Sequence, residues 1–180
     1  DRHSCEHPAG PLRDRFQLAM QEHFAKLTPR ARRISDLPIM ALLRGVPNSA
    51  AAMTRFYAQA DVDRECHSKH TAAKVHDLGP DVRDQLSKHE YEVLECAALL
   101  HDLGHRLGSH ALDRVLAAHP AAPDIDSFGW GDEFHEFHTA MLVARDSRLR
   151  EELGPLHADV LAVLTHFDKR PEIGEKASFV

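Results

Sequence analysis

Apolar residues in "PLRDRFQLAMQEHFAKL" fall at Leu12, Phe16, Met20, Phe24 and Leu27, a spacing of threes and fours that predicts one amphipathic helix stopping before Pro29. "ARRISDLPIMALLRG" predicts a weaker helix, broken or kinked at Pro38. "DVDRECHSKHTAAKVHDLGP" predicts a helix opened by Asp61 as N-cap and closed by Gly79 and Pro80. In "SKHEYEVLECAALLHDLG", Ser87 and Glu90 stand at capping-box spacing, and between Tyr91 and Leu100 only Glu92 and Glu95 are polar. That helix is expected to be mostly buried. "SHALDRVLAAHP" starts another with Ser109 as cap, and "GDEFHEFHTAMLVARD" and "PLHADVLAVLTHFDKRP" bring the count to about seven helices. No segment reads as a strand, so the fold class is all-α. The loop at 121–131 carries Phe128 and Trp130 beside Gly129 and Gly131. An aromatic anchor into the core is the first reading of that loop, and a lid that stacks on a base the alternative.

Composition narrows the picture. With 180 residues and 43% hydrophobic content, one domain with a real core is expected. The net charge of -6 without a long single-sign run makes nucleic acid an unexpected partner. The first ten residues are polar, the chain starts on Asp rather than Met, and no run approaches the roughly 18 apolar residues that span a bilayer. The three cysteines, Cys5, Cys66 and Cys96, form no C-x-x-C pair and fit a reducing compartment without disulfides. A cytoplasmic chain follows as the expectation. The fifteen histidines, spread from His3 to His166, are the compositional clue to chemistry.

That clue concentrates at "ALLHDLGHRLGSH", where His101 and Asp102 follow an apolar run. An imidazole and a carboxylate that are partly buried cost several kcal/mol unless they are paired or bound to a metal. Neighbours on a helix point about 100° apart, but at a helix C-terminus unwinding toward Gly104 the two can converge. No Cys accompanies them, which suits Mn, Fe, Co, Ni, Zn or Mg rather than Cu(I) or an iron–sulfur cluster. Arg64, His67 and His70 share a face of the preceding predicted helix, while His135, His138, Asp159, His166 and Asp168 supply further groups downstream.

Four short motifs, "RECHS" at 64–68, "HDLGH" at 101–105, "SHALD" at 109–113 and "FHEFHTAML" at 134–142, resemble the HD-domain metal-dependent phosphohydrolase superfamily. Within it they are most similar to the deoxynucleoside triphosphate triphosphohydrolases (dGTPase-like). The resemblance implies an HD-type helical bundle at 61–180, a single compact unit with an N-terminal helical segment at 1–60 packed on it. It also implies His67, His101 and Asp102 as metal ligands, with His110 beside the attacked phosphorus. Asp113 and His135 would form a proton-donating dyad, and Arg64 and His105 would contact phosphate. An imidazole held by a carboxylate is an acid or base working near neutral pH, and an Arg near a ligand clamps phosphate oxygens.

The superfamily's last ligand is an Asp downstream, and the surroundings expected for it are not reproduced after 142. Asp168 is the choice by position, with Asp159, or a residue beyond Val180, as the alternatives. The implied activity is hydrolysis of a phosphorylated small molecule such as a dNTP by metal-activated water, with a homo-oligomer as the candidate assembly. Two alternatives stand beside it. Some superfamily members are mixed-valent diiron oxygenases, for which His135 and His166 would join the ligands of two Fe. A regulatory module would bind nucleotide without turnover. His76, His89, His119, His138 and His157 read as plain solvated residues, and a surface pair with Asp61 is the bland alternative for Arg64.

Overall fold

Capping chemistry sets where the helices begin. The computed structural model describes residues 21–22, 24–46, 63–106, 113–115, 118–120, 130 and 134–165. Among them there are helices and no strand. Thr28 accepts from the Ala31 amide at 3.3 Å and starts α1 (Pro29–Ser35), where Pro29 brings its preset φ and no amide left to satisfy. Leu37 is then extended, as a residue before proline must be, and the chain resumes as a 3-10 turn, Pro38–Leu43. The break expected at Pro38 is therefore real.

α2 (Arg64–Lys74) is capped by Asp63, whose Oδ1 accepts from the Cys66 amide at 2.9 Å. This corrects the expectation of Asp61, which lies outside the described residues. Asp63 Oδ2 also accepts from the Gly45 amide at 3.2 Å, so the cap doubles as a tertiary tie. α2 stops at Lys74 and a 3-10 turn, Val75–Asp77, follows. Gly79 and Pro80 do not close that helix. They open a short α3 (Pro80–Arg83), with Pro at the position that tolerates it.

α4 (Lys88–Leu100) carries the expected capping box. Ser87 N donates to Glu90 Oε2 at 2.8 Å, and Glu90 N donates to Ser87 Oγ at 3.2 Å. α5 (Phe134–Arg145) is followed by α6 (Ser147–Leu153), opened by Asp146 accepting from Leu149 N at 2.8 Å and ended at Gly154 with φ 52°. After a 3-10 turn at Gly154–Leu156 comes α7 (His157–Leu164). The apolar pattern did not single out α6, whose residues are mostly charged.

α4 is the central element, packed against α2, α7 and α1, while α7 also packs on α5 and α1 on α6. Ile34, Leu43, Leu99, Leu100, Leu153 and Val160 belong to one fully buried cluster, so residues 27–43 share their core with α4. Trp130 is 1% exposed and sits with Ala140, Phe134 and Phe137, the core anchor rather than the lid. No described helix is long and apolar enough to cross a membrane.

Buried charges fasten this core. Glu95, with no exposed surface, accepts from Thr28 N at 2.9 Å, from Thr28 Oγ1 at 2.5 Å and from His76 Nε2 at 2.7 Å. His76 is thus a structural donor, not the solvated residue expected. Cys96 is free, its thiol pushed up to about 12 by burial and by Glu95 beside it.

Glu65 is held by Arg44 Nε at 2.9 Å and Lys69 Nζ at 2.8 Å. Burial alone would raise its carboxyl, but Arg44 and Lys69 outweigh that and keep it below the usual 4.5. A lowered folded value means its stabilisation is complete above 4.5 and disappears as pH falls through the lower folded value. Glu65→Gln is therefore expected to destabilise the protein at neutral pH and to weaken the loss of stability on acidification, read as urea midpoints across pH.

Candidate functional site

The apolar face of α4 carries the chain inward until Leu100, and the turn that follows delivers two polar residues to one place. The His105 amide donates to the Asp102 carbonyl at 2.9 Å, so residues 101–105 form a tight turn. His101 Nδ1 donates to the Ala98 carbonyl at 2.8 Å, which sets the tautomer and leaves Nε2 as the outward nitrogen. That nitrogen lies 3.3 Å from Asp102 Oδ1.

α2 lies alongside and brings His67, with its Nε2 3.8 Å from Asp102 Oδ2. The His67 and His101 rings meet edge to face, with centroids 5.4 Å apart and planes at 63°. One ligand atom from each of His67, His101 and Asp102 falls within 4.8 Å of the others. Two imidazoles meeting at an angle beside a carboxylate form a convergent donor set that fits a divalent ion. Burial is the main cause keeping His67 below its ordinary value, which favours the neutral, ligating form.

Asp102 is 6% exposed. Burial would raise its carboxyl, but His101, Arg64, His105 and His67 together hold it below the ordinary carboxylate range. Arg64 provides the closest of these contacts, Nη1 to Oδ2 at 2.5 Å. Arg64 is thus buried against Asp102, while Asp61 lies outside the described residues.

A second group continues from the first. His105 Nε2 is 3.4 Å from Asp102 Oδ1. The His105 ring stacks on His135 with centroids 3.9 Å apart and planes at 16°. His135 Nδ1 donates to Asp113 Oδ2 at 2.8 Å, and all three side chains are buried. These residues also fall within 4.8 Å of one another. An imidazole bonded to a carboxylate, with a second imidazole stacked on it, can serve either proton transfer or ligation. From Arg64 through Asp102 and His105 to His135 and Asp113, the site is one continuous polar seam.

Gly104 allows the two halves to meet. A Cβ there would lie 2.1 Å from the His135 carbonyl oxygen and 2.5 Å from the Thr139 amide nitrogen. Thr139, one turn beyond His135, accepts from Gly104 N at 2.8 Å and donates to the His101 carbonyl at 3.2 Å. Thr139 belongs to none of the expected site residues, and its signal in the sequence is its i+4 position on the His135 face.

Other expected residues lie elsewhere. Asp159 pairs with His89 at 2.9 Å, both about half exposed, and does not join the cluster with His67. His110, His166 and Asp168 lie outside the described residues. His138 and His157 are bonded to backbone carbonyls, at Gly104 and Val143, rather than solvated.

A protein-family model described as HD domain matches residues 64–178. No curated protein and no solved structure matches the chain. The matched span contains both halves of the seam and covers more than half of the sequence. The chain therefore belongs to the HD-domain family of metal-dependent phosphohydrolases.

Proposed function

We propose that the protein hydrolyses a phosphate ester of a nucleotide, with a dNTP as the substrate in the manner of the triphosphohydrolases its motifs resemble. The convergence of His67, His101 and Asp102 at one end of α4, with the Asp113–His135 pair beside it, carries this reading. His67, His101 and Asp102 would hold a divalent ion, with Asp168 as a candidate fourth ligand. That ion supplies Lewis acidity for the phosphate and acidifies water for attack.

The remaining steps belong to side chains. Asp113 holds the proton on His135 Nδ1, and with the ring in its doubly protonated form Nε2–H would pass its proton to the leaving oxygen, returning His135 to the neutral ring. His105 keeps the His135 ring in place by stacking, and its edge faces Asp102. Arg64 is committed to Asp102, so its part is to hold that carboxylate ionised and oriented, with any phosphate contact made by the rest of its fork. His110 would stand beside the attacked phosphorus. The dinuclear iron reading would take His135 Nε2 and His166 as further ligands, and His166 lies outside the described residues.

The test is a screen of orthophosphate, pyrophosphate and triphosphate release over nucleotides, run on the wild type, Asp113→Asn and His110→Ala. Turnover by the wild type is expected. Both variants should keep their metal and lose roughly 10²–10⁴-fold in kcat, with Asp113→Asn also losing one limb of the pH–rate profile. Bound metal and nucleotide with no release of any product would instead support the regulatory module.

A further inference from the structure

Just past the HD turn stands an arginine that the seam does not use. Arg106 is exposed, and its Nη2 donates to His138 Nε2 at 3.2 Å. His138 Nδ1 in turn donates to the Gly104 carbonyl at 3.3 Å, which leaves Nε2 as the acceptor that receives the guanidinium. Burial, with Arg106 adding to it, keeps His138 below its ordinary value and so neutral. A neutral imidazole fixes the guanidinium without cancelling its charge.

Position completes the case. His138 follows His135 by one turn on the same face of α5, and Arg106 follows His105 in the chain. The cation is therefore held about one helical turn from the His135 ring. Among the described residues no carboxylate pairs with Arg106, whereas Arg30, Arg33, Arg44 and Arg64 each have one. A planar fork with a preset orientation and uncompensated charge is suited to bidentate contact with phosphate oxygens.

We infer that Arg106, positioned by His138, binds a phosphate of the substrate beyond the one attacked, and so favours nucleoside di- and triphosphates over monophosphates. The inference rests on the phosphohydrolase reading for its substrate class. Arg106 is a binding residue in it and His138 a positioning residue.

Two measurements on the full chain test it together. The first is calorimetric binding of inorganic pyrophosphate to the wild type, Arg106→Ala, Arg106→Lys and His138→Gln. The second is KM and kcat of the same proteins on a nucleoside triphosphate and its monophosphate. Arg106→Ala should weaken pyrophosphate binding and raise the triphosphate KM by about 10- to 100-fold, with kcat and the monophosphate KM nearly unchanged. Arg106→Lys should recover part of the loss, and His138→Gln should fall between wild type and Arg106→Ala while melting as the wild type does. Unchanged pyrophosphate binding in Arg106→Ala, or equal effects on mono- and triphosphate, overturns the inference. A wild type that binds pyrophosphate through Arg106 yet hydrolyses nothing overturns the phosphohydrolase reading alone, and one that does not bind it overturns the Arg106 assignment.

Discussion

Asp102→Ala is expected to strip the protein of metal, abolish turnover and destabilise the fold by about 3–5 kcal/mol. The three losses have separable causes. Metal is lost because Asp102 is the only carboxylate in the cluster with His67 and His101 among the described residues. Stability is lost because Arg64, 5% exposed and 2.5 Å from Asp102, stays buried when that carboxylate is removed. Removing both members of a buried pair is far less damaging than removing one. The double variant Asp102→Ala with Arg64→Leu should therefore regain much of the melting temperature while remaining without metal. Full metal in Asp102→Ala would refute the ligand assignment. A double variant no more stable than the single would refute the part given to Arg64.

Gly104→Ala should be nearly as damaging, for a steric reason alone. The added methyl would lie 2.1 Å from one backbone atom of α5 and 2.5 Å from another, and backbone cannot swing aside as a side chain can. α5 or the 101–105 turn must move, which separates His135 from His105 and breaks the Gly104–Thr139 hydrogen bond. The cost should reach the upper end of the roughly 1–3 kcal/mol typical of overpacking, or exceed it. For a chain of this size that lowers the melting temperature by about 6–12 °C. Turnover should fall further than metal content, since the clash falls on α5 and the His135 backbone, whereas His67 is held on α2 and His101 and Asp102 precede Gly104 in the turn. Wild-type melting and turnover in Gly104→Ala would show that the two halves do not depend on this contact.

Features that depend on a few adjacent residues were legible in the sequence. The capping box at Ser87 and Glu90 spans three positions, and the placement of His101 and Asp102 follows from the apolar run before them. Features decided by packing between helices were not. Asp61 and Asp63 are both acceptable caps by residue type, and the choice of Asp63 is tied to its second bond, to the Gly45 amide from another segment. Arg64 reads as a surface residue or a phosphate clamp until α2 is laid against α4, where it meets a carboxylate 38 positions away. His76, His138 and His157 read as solvated because nothing local shows the Glu95 carboxylate or the Gly104 and Val143 carbonyls that take their protons. α6 lacks an apolar stripe, and its local marks are the Asp146 cap and Gly154.

On the proposed function the two halves of the seam would do distinct work, ligation at the end of α4 and proton transfer between α5 and Asp113. Elemental analysis of protein purified without added metal or chelator tests that division most directly, comparing wild type, Asp102→Ala and Asp113→Asn. The expected result is about one divalent transition metal ion per chain in the wild type and in Asp113→Asn, and close to none in Asp102→Ala. Equal metal in all three proteins, or a wild type that binds none when metal is supplied, would contradict it.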